Sequence, residues 1–191
     1  MQNIGLFGGS FDPVHLGHLL VAQAAMEELG LDRLYFIPAA HSPFKPEKQP
    51  SAASERLRLL RLALAGQTKY EVDEQEIKRG GMSYTIETVR DYARRFPQAG
   101  LLYFIGADNV AGLPGWRDAE ELARLVEFVA IARPGESPAA FPSPFRGRML
   151  KGYPLGVSSS QIRARVKAGS PIDQLVPPTV AEAIRNNRLY S

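Results

Sequence analysis

The 191-residue chain has no cysteine. That absence excludes disulfide frameworks, cysteine nucleophiles and thiolate metal sites together. Histidine is scarce too: His15, His18 and His41 are all there is, too few without cysteine to close a structural zinc site. No apolar run approaches the roughly 18 residues that would span a bilayer. The opening Met1-Gln2-Asn3-Ile4-Gly5 lacks a basic stretch followed by an apolar one, which argues against a signal peptide and for a cytoplasmic protein. Gly5, Gly8 and Gly9 do not make a dinucleotide fingerprint, and residues 37–40 carry no ribose-binding acid. No GxxxxGK(S/T) occurs, so a P-loop kinase is excluded.

Charge of either sign is also lacking in excess: 23 basic residues face 20 acidic ones, a formal net charge of +3. Polynucleotide binders concentrate their basic residues on one face or tail. Here the densest cluster is Arg56, Arg58 and Arg61, interleaved with leucines in a helical pattern, which reads as a solvated helix face. Small anionic substrates suit this balance; neither nucleic acid nor membrane is expected as a partner. Nothing in it selects between a monomer and a homo-oligomer.

What is present is a soluble globular composition, 45% hydrophobic and 23% charged, in a length that suits one ordinary domain. Short apolar runs at 3–7, 33–37, 70–73, 101–105 and 128–132 read as strands. Between them, periodicity predicts helices at 15–29, closed by Gly30, at 53–65, closed by Gly66, and at 84–96 and 119–125. Residues 135–148, with Pro138, Pro142 and Pro144, read as an irregular excursion, and helices at 159–168 and 180–186 close the chain. Strands alternating with helices predict an α/β doubly wound parallel sheet. The whole is read as a single domain, 1–191, with residues 158–191 as a small C-terminal helical part. Ligands of such sheets sit beyond the carboxyl ends of the strands.

The first such loop, Gly8-Gly9-Ser10-Phe11-Asp12-Pro13-Val14-His15-Leu16-Gly17-His18, joins strand to helix. Its glycines allow a tight turn with exposed amides, and the emerging helix start is an anion site. His15 and His18 are three apart and share a helix face; Gly17 keeps the surface beside them small. Two imidazoles there can donate to phosphate oxygens as charge builds. By spacing alone the pair is either a site or two packed residues. Near the other end, Val157-Ser158-Ser159-Ser160-Gln161-Ile162-Arg163 has capping-box spacing from Ser158 to Gln161. Hydroxyls, helix-start amides and a guanidinium fork gather there, as a polyphosphate requires. Trp116, the lone tryptophan, either stacks on a flat ring or packs half-buried, and Asp108 either accepts ribose hydroxyls or caps a helix.

Residues 9–18 resemble the GxFxPxHxGH signature of the nucleotidyltransferase superfamily, and 157–163 resemble its ISSTxIR element, with Val157 for Ile and Ser160 for Thr. Residues 82–88 are similar to the SYTxxT element of bacterial nicotinate-nucleotide adenylyltransferases. Ile105 to Asn109 with Leu113 and Trp116 resemble their IGADxxxxLxxW segment, and Ala132-Arg133-Pro134 a further family turn. The chain departs from the family at Ser42-Pro43-Phe44-Lys45, where relatives often read PPHK, and at Trp116-Arg117, where many have Trp-Tyr. The resemblance implies a Rossmann-like fold and adenylyl transfer from ATP to nicotinate mononucleotide in NAD biosynthesis. The transfer would proceed by direct in-line attack without a covalent intermediate, with Mg²⁺ accompanying ATP and no metal ligand from protein side chains. It implies catalytic roles for His15, His18 and Arg163. ATP would be held by Gly8, Gly9, Ser10, Phe11, Gly17, Lys45, Gly106, Asp108, Ser158, Ser159 and Ser160, and nicotinate mononucleotide by Tyr84, Thr85, Trp116 and Arg133. Transfer to nicotinamide mononucleotide or phosphopantetheine, and a non-catalytic nucleotide sensor, are the alternatives. A synthetase-type reading is weaker still, because no KMSKS segment is present.

Overall fold

The apolar runs at 3–7, 33–37, 101–105 and 128–132 become strands covered on both faces, which is why they are nearly continuous. The run at 70–73 alternates with polar residues and becomes a half-buried edge strand. The computed structural model describes every residue except 1, 45, 46, 48, 133–139 and 154. Its strands are β1 (Asn3–Gly9), β2 (Arg33–Pro38), β3 (Tyr70–Val72), β4 (Gly100–Gly106), β5 (Glu127–Ile131) and β6 (Gly147–Leu150). They form one sheet in the order β3-β2-β1-β4-β5-β6, parallel throughout. The helices are α1 (Leu16–Leu29), α2 (Ala53–Ala63), α3 (Gln75–Arg79), α4 (Thr85–Arg95), α5 (Ala119–Leu125), α6 (Ser159–Lys167) and α7 (Pro178–Asn186), with a 3-10 segment at Ala107–Gly115.

Successive strand residues point to opposite faces. Leu34, Phe36, Leu102, Phe104 and Val129 therefore pack with residues of α1, α2 and α7 on one side. Ile4, Leu6, Tyr35, Ile37, Tyr103, Ile105 and Phe128 pack with α4 and α5 on the other. Gly30 closes α1 in the left-handed region at φ 58°, as its position predicts. Strand order reverses between β1 and β4, so their carboxyl ends open the crevice where doubly wound sheets bind ligands.

The doubly wound α/β architecture is as the alternation predicts, with differences where elements are short. The stretch read as irregular up to residue 148 ends in edge strand β6, whose four residues pair from Phe128–Gly147 to Ile131–Leu150. A Cβ on Gly147 would lie 2.4 Å from the Phe141 ring, so that ring takes the side-chain space of the first β6 residue. Helix α3 is likewise too short to show a period, and the nine-residue 3-10 segment carries Gly112, Pro114 and Gly115 in place of a helical pattern. Among the described residues no helix is long and apolar enough to cross a membrane.

Candidate active site

Beyond β1 the chain turns through Phe11, at φ 46°, and enters α1 with His15 as its extended N-cap residue. The His15 and His18 rings stack at 3.8 Å between centroids with 29° between planes. The His15 amide donates to Nδ1 of His18 at 3.2 Å. With Nδ1 accepting, a neutral His18 carries its proton on Nε2, as a donor. Burial lowers the pKa of His15 from 6.5 to about 4. Burial, and then the neighbouring His15, hold His18 well below the ordinary value. Both rings are therefore neutral near pH 7. His15 is only 6% exposed, and among the described residues its Nδ1 has no hydrogen-bond partner. That ring lies over Gly17, where a Cβ would sit 3.0 Å from both Cε1 and Nδ1.

Opposite stands α6, capped as its sequence predicts. The Gln161 amide donates to Ser158 Oγ at 3.3 Å, and the Ser158 amide donates to Gln161 Oε1 at 2.9 Å. Ser159 Oγ donates to the Pro13 carbonyl at 2.9 Å, and Arg163 donates to the Asp12 carbonyl and, at 3.2 Å, to Ser160 Oγ. These bonds stitch a helix start to a loop about 150 residues earlier in the chain. Between the two lies a cleft of about 540 Å³ lined by Gly8, Ser10, Phe11, His15, Gly17, His18, Gly106, Ser158, Ser159, Ser160 and Arg163. Gly9 is not among its lining residues; its carbonyl accepts the Ala39 amide at 2.9 Å. Asp108 does not line it either, but folds its carboxylate over Gly106, where a Cβ would lie 2.4 Å from Oδ1. Lys45 and Arg133 lie outside the described residues.

The remaining predicted residues form a second cluster beside the cleft. Tyr84 is the N-cap residue of α4 and Thr85 its first residue, and the Tyr84 side chain makes no capping hydrogen bond. Ser83 fastens it to the loop after β2: its amide donates to the His41 carbonyl at 2.8 Å, and its hydroxyl accepts the Ala40 amide at 2.9 Å. Both departures from the family pattern meet here. Phe44 lies 5.0 Å from Trp116, and the Arg117 guanidinium sits 4.6 Å over the Tyr84 ring while pairing with Glu87 at 3.2 Å. Thr85 Oγ1 donates to Tyr103 Oη at 3.3 Å, and a Cβ on Gly8 would be 2.6 Å from that same oxygen. Tyr103 thus joins the two clusters.

Sequence reasoning missed Tyr103, Asp12, Arg56 and Tyr190. Tyr103 could have been singled out as an inward residue near the carboxyl end of β4, next to the β1 loop. Arg56 corrects the solvated-face reading of its cluster. Arg58 and Arg61 are exposed and paired with Glu55 and Glu74, but Arg56 is 1% exposed. Its guanidinium donates to the carbonyls of Ser51, Ser10 and Ala39 at 3.0, 2.8 and 2.9 Å, tying α2 to the loops after β1 and β2. Three carbonyl partners satisfy a cation that burial would otherwise penalise.

A paired-histidine loop at the switch point of a doubly wound sheet, faced by a hydroxyl-rich helix start with its arginine, is the arrangement that the resemblance to the nucleotidyltransferase superfamily implies. Comparison with known proteins agrees. A cytidylyltransferase-like family model matches residues 6–165. A probable nicotinate-nucleotide adenylyltransferase of Opitutus terrae is 41% identical over 192 residues, covering 99% of this chain and 98% of that protein. One from Gemmatimonas aurantiaca is 43% identical over 196 residues, covering 99% and 92%. The Plasmodium falciparum nicotinic acid mononucleotide adenylyltransferase, solved in complex with NaAD, shares the fold. Its TM-score is 0.79 at 17% identity, covering 100% of this chain and 98% of that one. The chain belongs to the cytidylyltransferase-like family and, within it, to the nicotinate-nucleotide adenylyltransferases.

Proposed function

We propose that this protein transfers the adenylyl group of ATP to nicotinate mononucleotide, forming nicotinate adenine dinucleotide and pyrophosphate, a step of NAD biosynthesis. A phosphate oxygen of the mononucleotide attacks the α-phosphorus of ATP in line. The bond from that phosphorus to the bridging oxygen of the β-phosphate breaks, and pyrophosphate leaves with its electrons. The attacking phosphate has a second pKa near 6, so little deprotonation is needed. Catalysis then consists of orientation and charge stabilisation.

The observation that carries this reading is the pair of stacked, neutral histidines facing Arg163 and the α6 start across one cleft. His18 donates from Nε2 to an α-phosphate oxygen, and His15 backs that ring. Arg163, Ser158, Ser159 and Ser160 hold the β- and γ-phosphates, while the amides of Gly8 and Ser10 approach the transferring group. Trp116 and Tyr84 flank the pyridine ring, and the amides at Thr85 receive its carboxylate. Among the described lining residues Asp12 is the only carboxylate, and it is already engaged by Ser51 and Tyr190. That donor set fits Mg²⁺ arriving as part of the ATP substrate, ligated by phosphate oxygens and water.

The test is pyrophosphate release with ATP, Mg²⁺ and either nicotinate or nicotinamide mononucleotide. Strong release with nicotinate mononucleotide alone is expected. Preference for the amide would overturn the acceptor assignment, and silence with both would overturn the reaction.

A further inference from the structure

The penultimate residue of the chain returns to the cleft loop. Tyr190, at φ 65°, packs its ring against the core on the α1 side of the sheet and donates its hydroxyl to Asp12 Oδ1 at 2.9 Å. Asp12 is 5% exposed and engaged on its other oxygen as well. Oδ2 accepts the Ser51 amide at 3.2 Å and lies 3.8 Å from Nη1 of Arg163. Arg163 therefore stands between a buried carboxylate and the cleft, with a choice of anions. How strongly Asp12 draws it depends on how many other donors share the carboxylate charge. Among the described residues Tyr190 O–H and Ser51 N–H are those donors, and the buried Arg56 cation also acts on the carboxylate from further off. Burial, and then the Asp12 charge, raise the Tyr190 pKa, so the hydroxyl stays protonated and donating.

We propose that Tyr190 is a positioning residue for ATP binding: by donating to Asp12 it keeps that carboxylate from fully pairing with Arg163 and leaves the guanidinium available to the triphosphate. The inference rests on the functional reading above. Without the hydroxyl, Oδ1 loses a donor in a buried place. Asp12 then turns to the cation already within ion-pairing distance, and Arg163 is drawn away from the phosphates.

Tyr190→Phe keeps the ring and removes only the hydroxyl. The measurement is calorimetric affinity for ATP without acceptor, together with KM for each substrate and the melting temperature. ATP affinity is expected to fall by about tenfold, the scale of one hydrogen bond to a charged group, with KM for ATP rising in proportion. KM for the acceptor should stay within about twofold, since the proposed reading assigns the acceptor to Tyr84, Thr85 and Trp116 and only the triphosphate to Arg163. An unchanged ATP affinity overturns the proposal, and so does a lowered melting temperature with ATP affinity intact. In an Asp12→Asn background, removing the hydroxyl should change ATP affinity by less than about twofold; full additivity overturns the proposal. A wild-type chain that binds no ATP overturns the functional reading and this inference with it. Wild-type binding of ATP matched by Tyr190→Phe overturns this inference alone.

Discussion

Gly17→Ala separates stability from catalysis in this fold. The added Cβ would stand 3.0 Å from Cε1 and Nδ1 of His15, against the roughly 3.5–4.0 Å of an optimal carbon contact. His15 must yield by a few tenths of an ångström, yet its ring is buried and already stacked on His18 at 3.8 Å. Both imidazoles shift together. A misplacement of about 1 Å costs on the order of a hundredfold in rate, so half that displacement predicts roughly a tenfold loss of turnover. Stability should stay nearly level, because the preference for alanine over glycine in a helix, up to about 1 kcal/mol, opposes the strain of moving a buried ring. The assay is pyrophosphate release from ATP and nicotinate mononucleotide, run beside a thermal melt. Wild-type turnover in a normally folded variant would refute the argument. A melting temperature that falls with the activity would refute it equally, since the loss would then belong to folding.

His18→Ala removes the Nε2 donor, and kcat should fall by about a hundredfold or more while the chain still folds. Near-normal turnover would sink the assigned role. Acid should destabilise the fold through His15. Its pKa is about 4 when folded against 6.5 ordinarily, so the unfolded chain binds protons first, and stability is full above about 6.5 and lost as pH falls toward 4. The loss is roughly 3 kcal/mol, read from urea unfolding across that window; a pH dependence no weaker in His15→Asn would contradict it. Arg56→Met removes a buried guanidinium and leaves three part-buried carbonyls without their donor, which should cost about 3 kcal/mol, against which a loss below about 1 kcal/mol would count.

Much of this architecture was legible because it is locally encoded. The apolar runs at β1, β2, β4 and β5 are covered on both faces and so carry their own signal, and Gly30 marks the end of α1 because glycine tolerates the left-handed turn there. The α6 start was readable for the same reason: Ser158 and Gln161 satisfy each other's backbone within one turn. Strand β6 was not readable, because four residues after a proline-bearing stretch carry no period, and its pairing comes from β5 rather than from its own composition.

Sequence alone determined the alternation of β1 to β5 with the longer helices, the two phosphate-side motifs and the family they resemble. These depend on neighbours a few residues apart, where spacing is set by backbone geometry. Tertiary structure decided which of those residues meet and in what state. It put Arg56 inside rather than on a solvated face, because three carbonyls from separate loops converge on it. It made the two histidines neutral, because burial penalises the charged imidazole. It also carried Tyr190 back across 178 residues to Asp12, an encounter that only the packing of α7 and the chain end against the sheet could arrange.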